Sequence, residues 1–150
     1  VSEIPTGAWL EELPIDACLA LLRAHDVGRI AVIANEFPVV LPVNYRLVET
    51  LDLTWIAIRT RPGSVIDRAP MPCAFEIDAI DPLHHEAWSV AVRGTLHHAD
   101  PDAASLRDRF DTHPWLAERD TWLLLEPFAI TGRRLHRGEE EWAFHLRAYL

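Results

Sequence analysis

Arg59, Thr60, Arg61 and Ser64 bring two guanidinium groups and two hydroxyls into the six-residue stretch Arg59-Thr60-Arg61-Pro62-Gly63-Ser64. These are groups that hold a small oxyanion, since a guanidinium pairs with it by charge-assisted bonds and a hydroxyl rotates to donate. Pro62-Gly63 turns the chain, and a short helix is expected from Ser64 to about Ala69, ended by Pro70 and Pro72. A strand leading into such a turn aims unpaired N–H groups, and the positive end of a helix dipole, at one point. The whole chain carries a formal net charge of −9, so positive potential gathered at one turn points to a bound anion, of which phosphate is the usual candidate. A reading without a ligand stands beside this one. Ser64 followed three residues later by Asp67 is also the spacing of a capping box.

The elements that must position this turn read as strands with a few short helices. Residues 1–13 form an arm with Trp9 and Leu10 as apolar anchors. Ile15, Cys18, Leu19 and Leu22 recur at helical spacing up to about His25, and Gly28 follows where such a helix would have ended. Arg29–Ala34 and Val39–Asn44 are apolar, β-branched runs joined across Asn35-Glu36, a hairpin pattern. Further strands are expected over Leu53–Arg59, Cys73–Ile80, Glu86–His98 and Thr121–Thr131, with Arg133–Arg137 extending or following the last. Asp100-Pro101 opens a helix to about Asp111. About six strands, mostly joined by short turns, give a mainly β fold: an antiparallel barrel with short helices packed on it. The regular alternation of a parallel sheet is missing, and so is G-x-G-x-x-G, which argues against a dinucleotide-binding Rossmann unit.

Composition narrows the function classes. The 150 residues are 49% apolar and 25% charged, as in a water-soluble domain able to bury its own core. No apolar run is long enough to span a membrane, and the N-terminal residues lack the pattern of a secretory signal. An acidic balance without a basic stripe argues against nucleic acid and against anionic membrane as partners. Cys18 and Cys73 are far apart and read as reduced, buried thiols, which makes a cytoplasmic location the expectation. All 14 positive side chains are arginine, so any anion site is built from guanidinium, hydroxyl and backbone groups.

Six stretches occur in one order over residues 27–135: Val27-Gly28-Arg29-Ile30-Ala31, Pro42-Val43-Asn44-Tyr45, Arg59-Thr60-x-x-Gly63-Ser64, Ala74-Phe75-Glu76-Ile77-Asp78, Trp88-Ser89-Val90-x-Val92-Arg93-Gly94 and Ile130-Thr131-Gly132-Arg133-Arg134-Leu135. On these the chain resembles the pyridoxamine 5′-phosphate oxidase-like flavoproteins, which adopt the FMN-binding split β-barrel. The resemblance implies a single domain over residues 1–150, and a homodimer with FMN at the subunit interface. It implies that Pro42, Val43 and Asn44 lie along the flavin ring, and that Arg59, Thr60, Arg61 and Ser64 hold the phosphate. Trp88 and Ser89 would approach the cofactor, from the same subunit or its partner. Asn44 also stands out on its own chemistry, because an amide in an apolar run needs hydrogen-bond partners and a flavin edge offers them.

Two places bear on how far the resemblance reaches. Many relatives carry lysine directly after the Gly-Ser pair, where this chain has Val65. Losing one charged hydrogen bond costs about 1.5–3 kcal/mol, and Arg61 or Arg68 could compensate. Arg134-Leu135-His136 matches a triplet that contacts substrate in the true oxidases, and in an extended segment Arg134 and His136 share one face. The function implied is an FMN-dependent oxidoreductase acting on a small molecule by hydride transfer at flavin N5. The alternatives are a non-enzymatic flavin-binding or cofactor-free dimeric module, and a relative using the deazaflavin F420.

Other constellations carry less. The adjacent pairs His84-His85 and His97-His98 point to opposite faces of a strand, and no H-E-x-x-H spacing exists, so no metal site is expected. Haem remains open because haem-binding split barrels exist. No G-x-S-x-G supports a serine nucleophile. Glu139-Glu140-Glu141 reads as a solvated turn, and Trp115, Trp122 and Trp142 as core or interface residues.

Overall fold

The structure is a computed structural model that describes residues 7–99 and 121–137. In chain order it contains β1 (Trp9–Leu13), α1 (Ile15–Ala24), β2 (Val27–Ala34), β3 (Phe37–Glu49), β4 (Thr54–Thr60), β5 (Met71–Asp81), β6 (Glu86–His98) and β7 (Thr121–His136). All strand pairs are antiparallel, in the order β1-β7-β4-β3-β2-β5-β6, and β6 also pairs with β7, which closes the sheet into a ring. A mainly β, antiparallel barrel is therefore what this sequence forms.

Alternation along the strands builds the barrel. Ile30 and Val32 of β2, Ile56 and Ile58 of β4, Phe75 and Ile77 of β5, and Val90 and Val92 of β6 all point inward and are buried. Each such side chain taken out of water contributes about 1.5–3 kcal/mol. The Asn35-Glu36 hairpin forms as expected, with both residues at positive φ (51° and 68°), the conformation whose twist matches two antiparallel strands. Helix α1 sets Cys18 and Leu22 into the same core. It is tied to β3 by Tyr45, whose hydroxyl donates to the Leu22 carbonyl at 2.8 Å while its ring meets Phe75 edge-on. β7 is the hub: it pairs with β4 at its start, with β1 at its end, and with β6 along most of its length. A register shift at Arg93/Gly94 lets β6 follow it.

Two expectations change, and one pair of alternatives is decided. The arm contains a strand, β1, because Trp9–Leu13 pair with Gly132–His136. Ser64–Ala69 is not a helix but a pair of tight turns, since Pro62-Gly63 uses the first residues and Pro70 and Pro72 leave no room for a second helical turn. The last strand runs unbroken to His136, so Arg133–His136 extends it and Arg137 follows. The helix expected over Asp100–Asp111, the Glu139–Glu141 run, Trp115 and Trp142 lie outside the described residues. No helix among the described residues is long and apolar enough to cross a membrane.

Candidate functional site

Ser64 N–H donates to the Arg61 carbonyl at 3.2 Å, with Pro62 and Gly63 between them and Gly63 at φ 74°. That is a type II turn, which wants proline then glycine at its centre. A second turn follows at once, with Asp67 N–H on the Ser64 carbonyl at 2.9 Å. Among the described residues, the two amides between, Val65 and Ile66, have no backbone partner. Thr60, buried at the end of β4, meets the Ser64 hydroxyl at 2.8 Å. Either hydroxyl can turn its O–H from the other to donate to an anion. Successive unpaired amides, of Val65 and of the buried Ile66, beside a hydroxyl pair are a donor set that suits an oxyanion.

The capping box takes a different form from the expected one. Asp67 reaches back to the Gly63 N–H at 2.7 Å, and its other oxygen bonds His98 Nε2 at 2.6 Å. The Gly63 amide and then His98 hold the Asp67 carboxyl below the usual carboxylate range. One of the turn's donors is thus already on an internal carboxylate. Val65, at the family's lysine position, packs partly buried against the core.

Arg59 sits between the inward Ile58 and Thr60, so its side chain faces outward, with the guanidinium carbon 5.7 Å from the centre of the Trp122 ring. Trp122 pairs with Arg59 across β4 and β7, whereas the pairing of β3 with β4 stops at Tyr45↔Ile58, one residue short of Asn44. Arg59 and Trp122 therefore share the outward side of the sheet. Trp122 is 8% exposed, and its indole N–H has no hydrogen-bond partner among the described residues. Sequence reasoning set this residue aside as core or interface; only the cross-strand pairing shows a buried donor beside Arg59. Arg61 is exposed at the first position of the turn.

Pairing of β3 with β4 begins at Tyr45, so from Phe37 to Asn44 no strand covers the β4 side of β3 among the described residues. Tyr45 N–H points the other way, to Asp26. Alternate residues therefore aim their backbone groups at the open edge, and these are Pro38, Val40, Pro42 and Asn44. Proline sits there without a lost ladder bond. Pro42 and Asn44 pair across β2 with Arg29 and Val27 on the outer face, whereas the Val43 side chain is buried in the core. The Val43 backbone faces β2 opposite Gly28, so Val43 offers neither side chain nor backbone to a ligand at this edge.

The remaining candidates lie elsewhere. Trp88 pairs with Arg134, and both line an open cleft of about 450 Å³ with His136, Ile80, Asp81 and Glu86. Trp88 turns inward against the core and His25, while Ser89, its neighbour, faces the opposite side opposite Asp78 and Arg133. His136 stacks on Trp9 at 4.1 Å and bonds Glu11 at 2.6 Å, so β1 engages it directly. Arg134 lies twelve residues along β7 from Trp122, roughly 40 Å of strand path at about 3.3 Å per residue. Within one protomer the turn at Arg59–Ser64 and the cleft at Trp88–Arg134–His136 are separate. His97 bonds Glu126 while His98 bonds Asp67, and no metal-holding cluster exists among the described residues.

Comparison with known proteins agrees with this fold. The family model for pyridoxamine 5′-phosphate oxidase matches residues 14–134. An uncharacterized protein of Mycobacterium tuberculosis is 29% identical over 129 residues, covering 83% of this chain and 84% of its own. A crystal structure of a pyridoxamine 5′-phosphate oxidase candidate from Corynebacterium glutamicum superposes with a TM-score of 0.69 at 25% identity, over 93% of this chain and 100% of that one. The FAD-binding protein of Mycobacterium smegmatis gives 0.62 at 25% identity, over 84% and 98%. A FAD-binding protein of Mesorhizobium loti shares the fold at TM-score 0.72 and 19% identity, over 87% and 100%. A closed antiparallel ring with this strand order, matched over most of its length, makes the chain a member of the pyridoxamine 5′-phosphate oxidase family with a split-barrel fold of the flavin-binding kind.

Proposed function

We propose that this protein is an FMN-dependent oxidoreductase, a homodimer of single split-barrel domains spanning residues 1–150, with FMN at the subunit interface and a small molecule as substrate. One observation carries the reading: the open Val65 and Ile66 amides beside the Thr60–Ser64 hydroxyl pair, next to the outward Arg59. The residues present fit the flavin phosphate. Thr60, Ser64, Arg59 and Arg61 would hold it, and the uncovered edge of β3 at Pro42–Asn44 would bond the polar rim of the ring. Among the solved relatives, the Mycobacterium smegmatis and Mesorhizobium loti proteins bind FAD, which supports a flavin here.

Bound flavin supplies hydride exchange at N5. The chain's own part is to fix the ring and keep its rim hydrogen-bonded, and no side chain beside the turn is assigned as a proton donor. The dimer rests on the outer face of β2 and β3, where Val27, Ile33 and Val40 are exposed along with Phe37 at the hairpin. An apolar face of this kind suits an interface. A second protomer would bring its own Trp88, Ser89, Arg134 and His136 toward the turn, uniting two clusters that one protomer keeps apart. The cytoplasm is the proposed compartment.

Purified protein reconstituted with FMN tests the proposal. Retained flavin absorption after gel filtration, elution as a dimer, and loss of the flavin in Arg59→Ala are the expected results. Flavin occupancy unchanged in Arg59→Ala would refute the phosphate assignment, and a protein that takes up no flavin would favour a cofactor-free dimeric module.

A further inference from the structure

We infer that Asp67 sets how tightly the Thr60–Ser64 turn holds a phosphate dianion, as a resident carboxylate that weakens the grip. This inference rests on the proposed role of the turn as the phosphate site. In a type II turn the amide of the third residue projects out of the turn, where it could serve an anion. Here that amide, Gly63 N–H, is taken by Asp67 Oδ2 at 2.7 Å.

The carboxylate cannot easily swing aside, because its second oxygen is held at 2.6 Å by His98 Nε2 from the end of β6. The same two partners favour its ionised form. The open amides of Val65 and Ile66 stand two residues and one residue before it. An incoming dianion therefore meets one donor fewer and one fixed negative charge more than the turn alone would present. Arg59, and the exposed Arg61 and Arg68, must overcome that charge. The tie between residue 67 and residue 98 crosses from the turn to another strand. It serves to anchor a charge at this spot, since the turn's own backbone bonds already define its shape.

The test uses Asp67→Asn and Asp67→Ser in the full chain. Both substituents can still accept from the Gly63 amide, and neither carries charge. Each variant is titrated with FMN and with riboflavin, which has the same ring and no phosphate. FMN should bind roughly tenfold more tightly to both variants, with riboflavin affinity unchanged. The gain should shrink as salt is raised, as a charge effect requires. If both variants bind FMN equally or more weakly than the parent, whether or not they melt lower, the inference is overturned. Arg59→Ala separates the two levels. FMN binding unaffected in Arg59→Ala would remove the phosphate site itself, whereas weakened FMN binding there, with no gain at residue 67, would remove this inference alone.

Discussion

Thr60→Val separates the work of the turn from the work of the barrel. Valine keeps the shape of threonine and removes only the hydroxyl that meets Ser64 Oγ at 2.8 Å. Thr60 is 6% exposed, so the new methyl stays buried and leaves no cavity. Ser64 is only partly buried and can turn its hydroxyl to water. The stability cost should therefore stay at the low end for a neutral hydrogen bond, about 0.5 kcal/mol. For a domain of this size that is a melting shift of about 1–2 °C. Binding should suffer far more, because the buried hydroxyl is one of the donors assigned to a charged phosphate. A hydrogen bond to a charged group contributes about 1.5–3 kcal/mol, so FMN affinity should fall roughly tenfold to a hundredfold. Thermal denaturation of the flavin-free protein gives the first number and a fluorescence titration with FMN the second. A variant that loses several degrees of melting temperature while binding FMN normally would refute the reasoning, since Thr60 would then serve the fold and not the ligand.

Four further outcomes follow from the packing and the charges. Gly94→Ala drives a Cβ into the Glu126 carbonyl oxygen at the register shift, so two backbones must part; chemical denaturation should show a loss of about 2 kcal/mol or more. Tyr45→Phe strands the Leu22 carbonyl inside the barrel and should cost about 1–3 kcal/mol in the same assay, with flavin affinity unchanged. Cys73, 8% exposed and pushed up to about 11 by burial, should not react with a thiol reagent at neutral pH until the protein unfolds; rapid labelling of the native protein would contradict its place in the core. Asp67 has a folded pKa below its unfolded value, so its contribution to stability is present above the ordinary carboxylate range and is lost as pH falls through the depressed value. Acid titrations followed by circular dichroism should therefore show a shallower loss of stability at low pH in Asp67→Asn.

What could be read from the sequence, and what could not, divides by range. Ile56-Ala57-Ile58 and the Asn35-Glu36 hairpin declare themselves through a β-branched apolar run and through turn chemistry, so the strands of the ring were legible. Arg61-Pro62-Gly63-Ser64 named its turn, but the pattern after it suggested a helix, and only the crowding of Pro62, Gly63, Pro70 and Pro72 within a few residues decides for turns. β1 was hidden because Trp9-Leu10-Glu11-Glu12-Leu13 lacks alternation and becomes a strand through its partner, β7. The bond from Asp67 to His98 spans 31 residues, beyond the reach of local spacing. The pairing of Arg59 with Trp122 is equally remote, since it exists only once β4 and β7 are in register. The turn residues and Asn44 were found by chemical type and Pro42, Val43, Trp88, Ser89, Arg134 and His136 through the resemblance, whereas their division into a turn and a distant cleft required the path of β7.

The most direct test of the account is a crystal structure of the protein grown with FMN. It should show the phosphate seated against the Thr60 and Ser64 hydroxyls and the amides of Val65 and Ile66, with Arg59 closing over it and the ring along the edge of β3 at Pro42–Asn44. FMN ordered in the cleft at Trp88 and Arg134 of a single protomer, with the turn facing solvent, would contradict it.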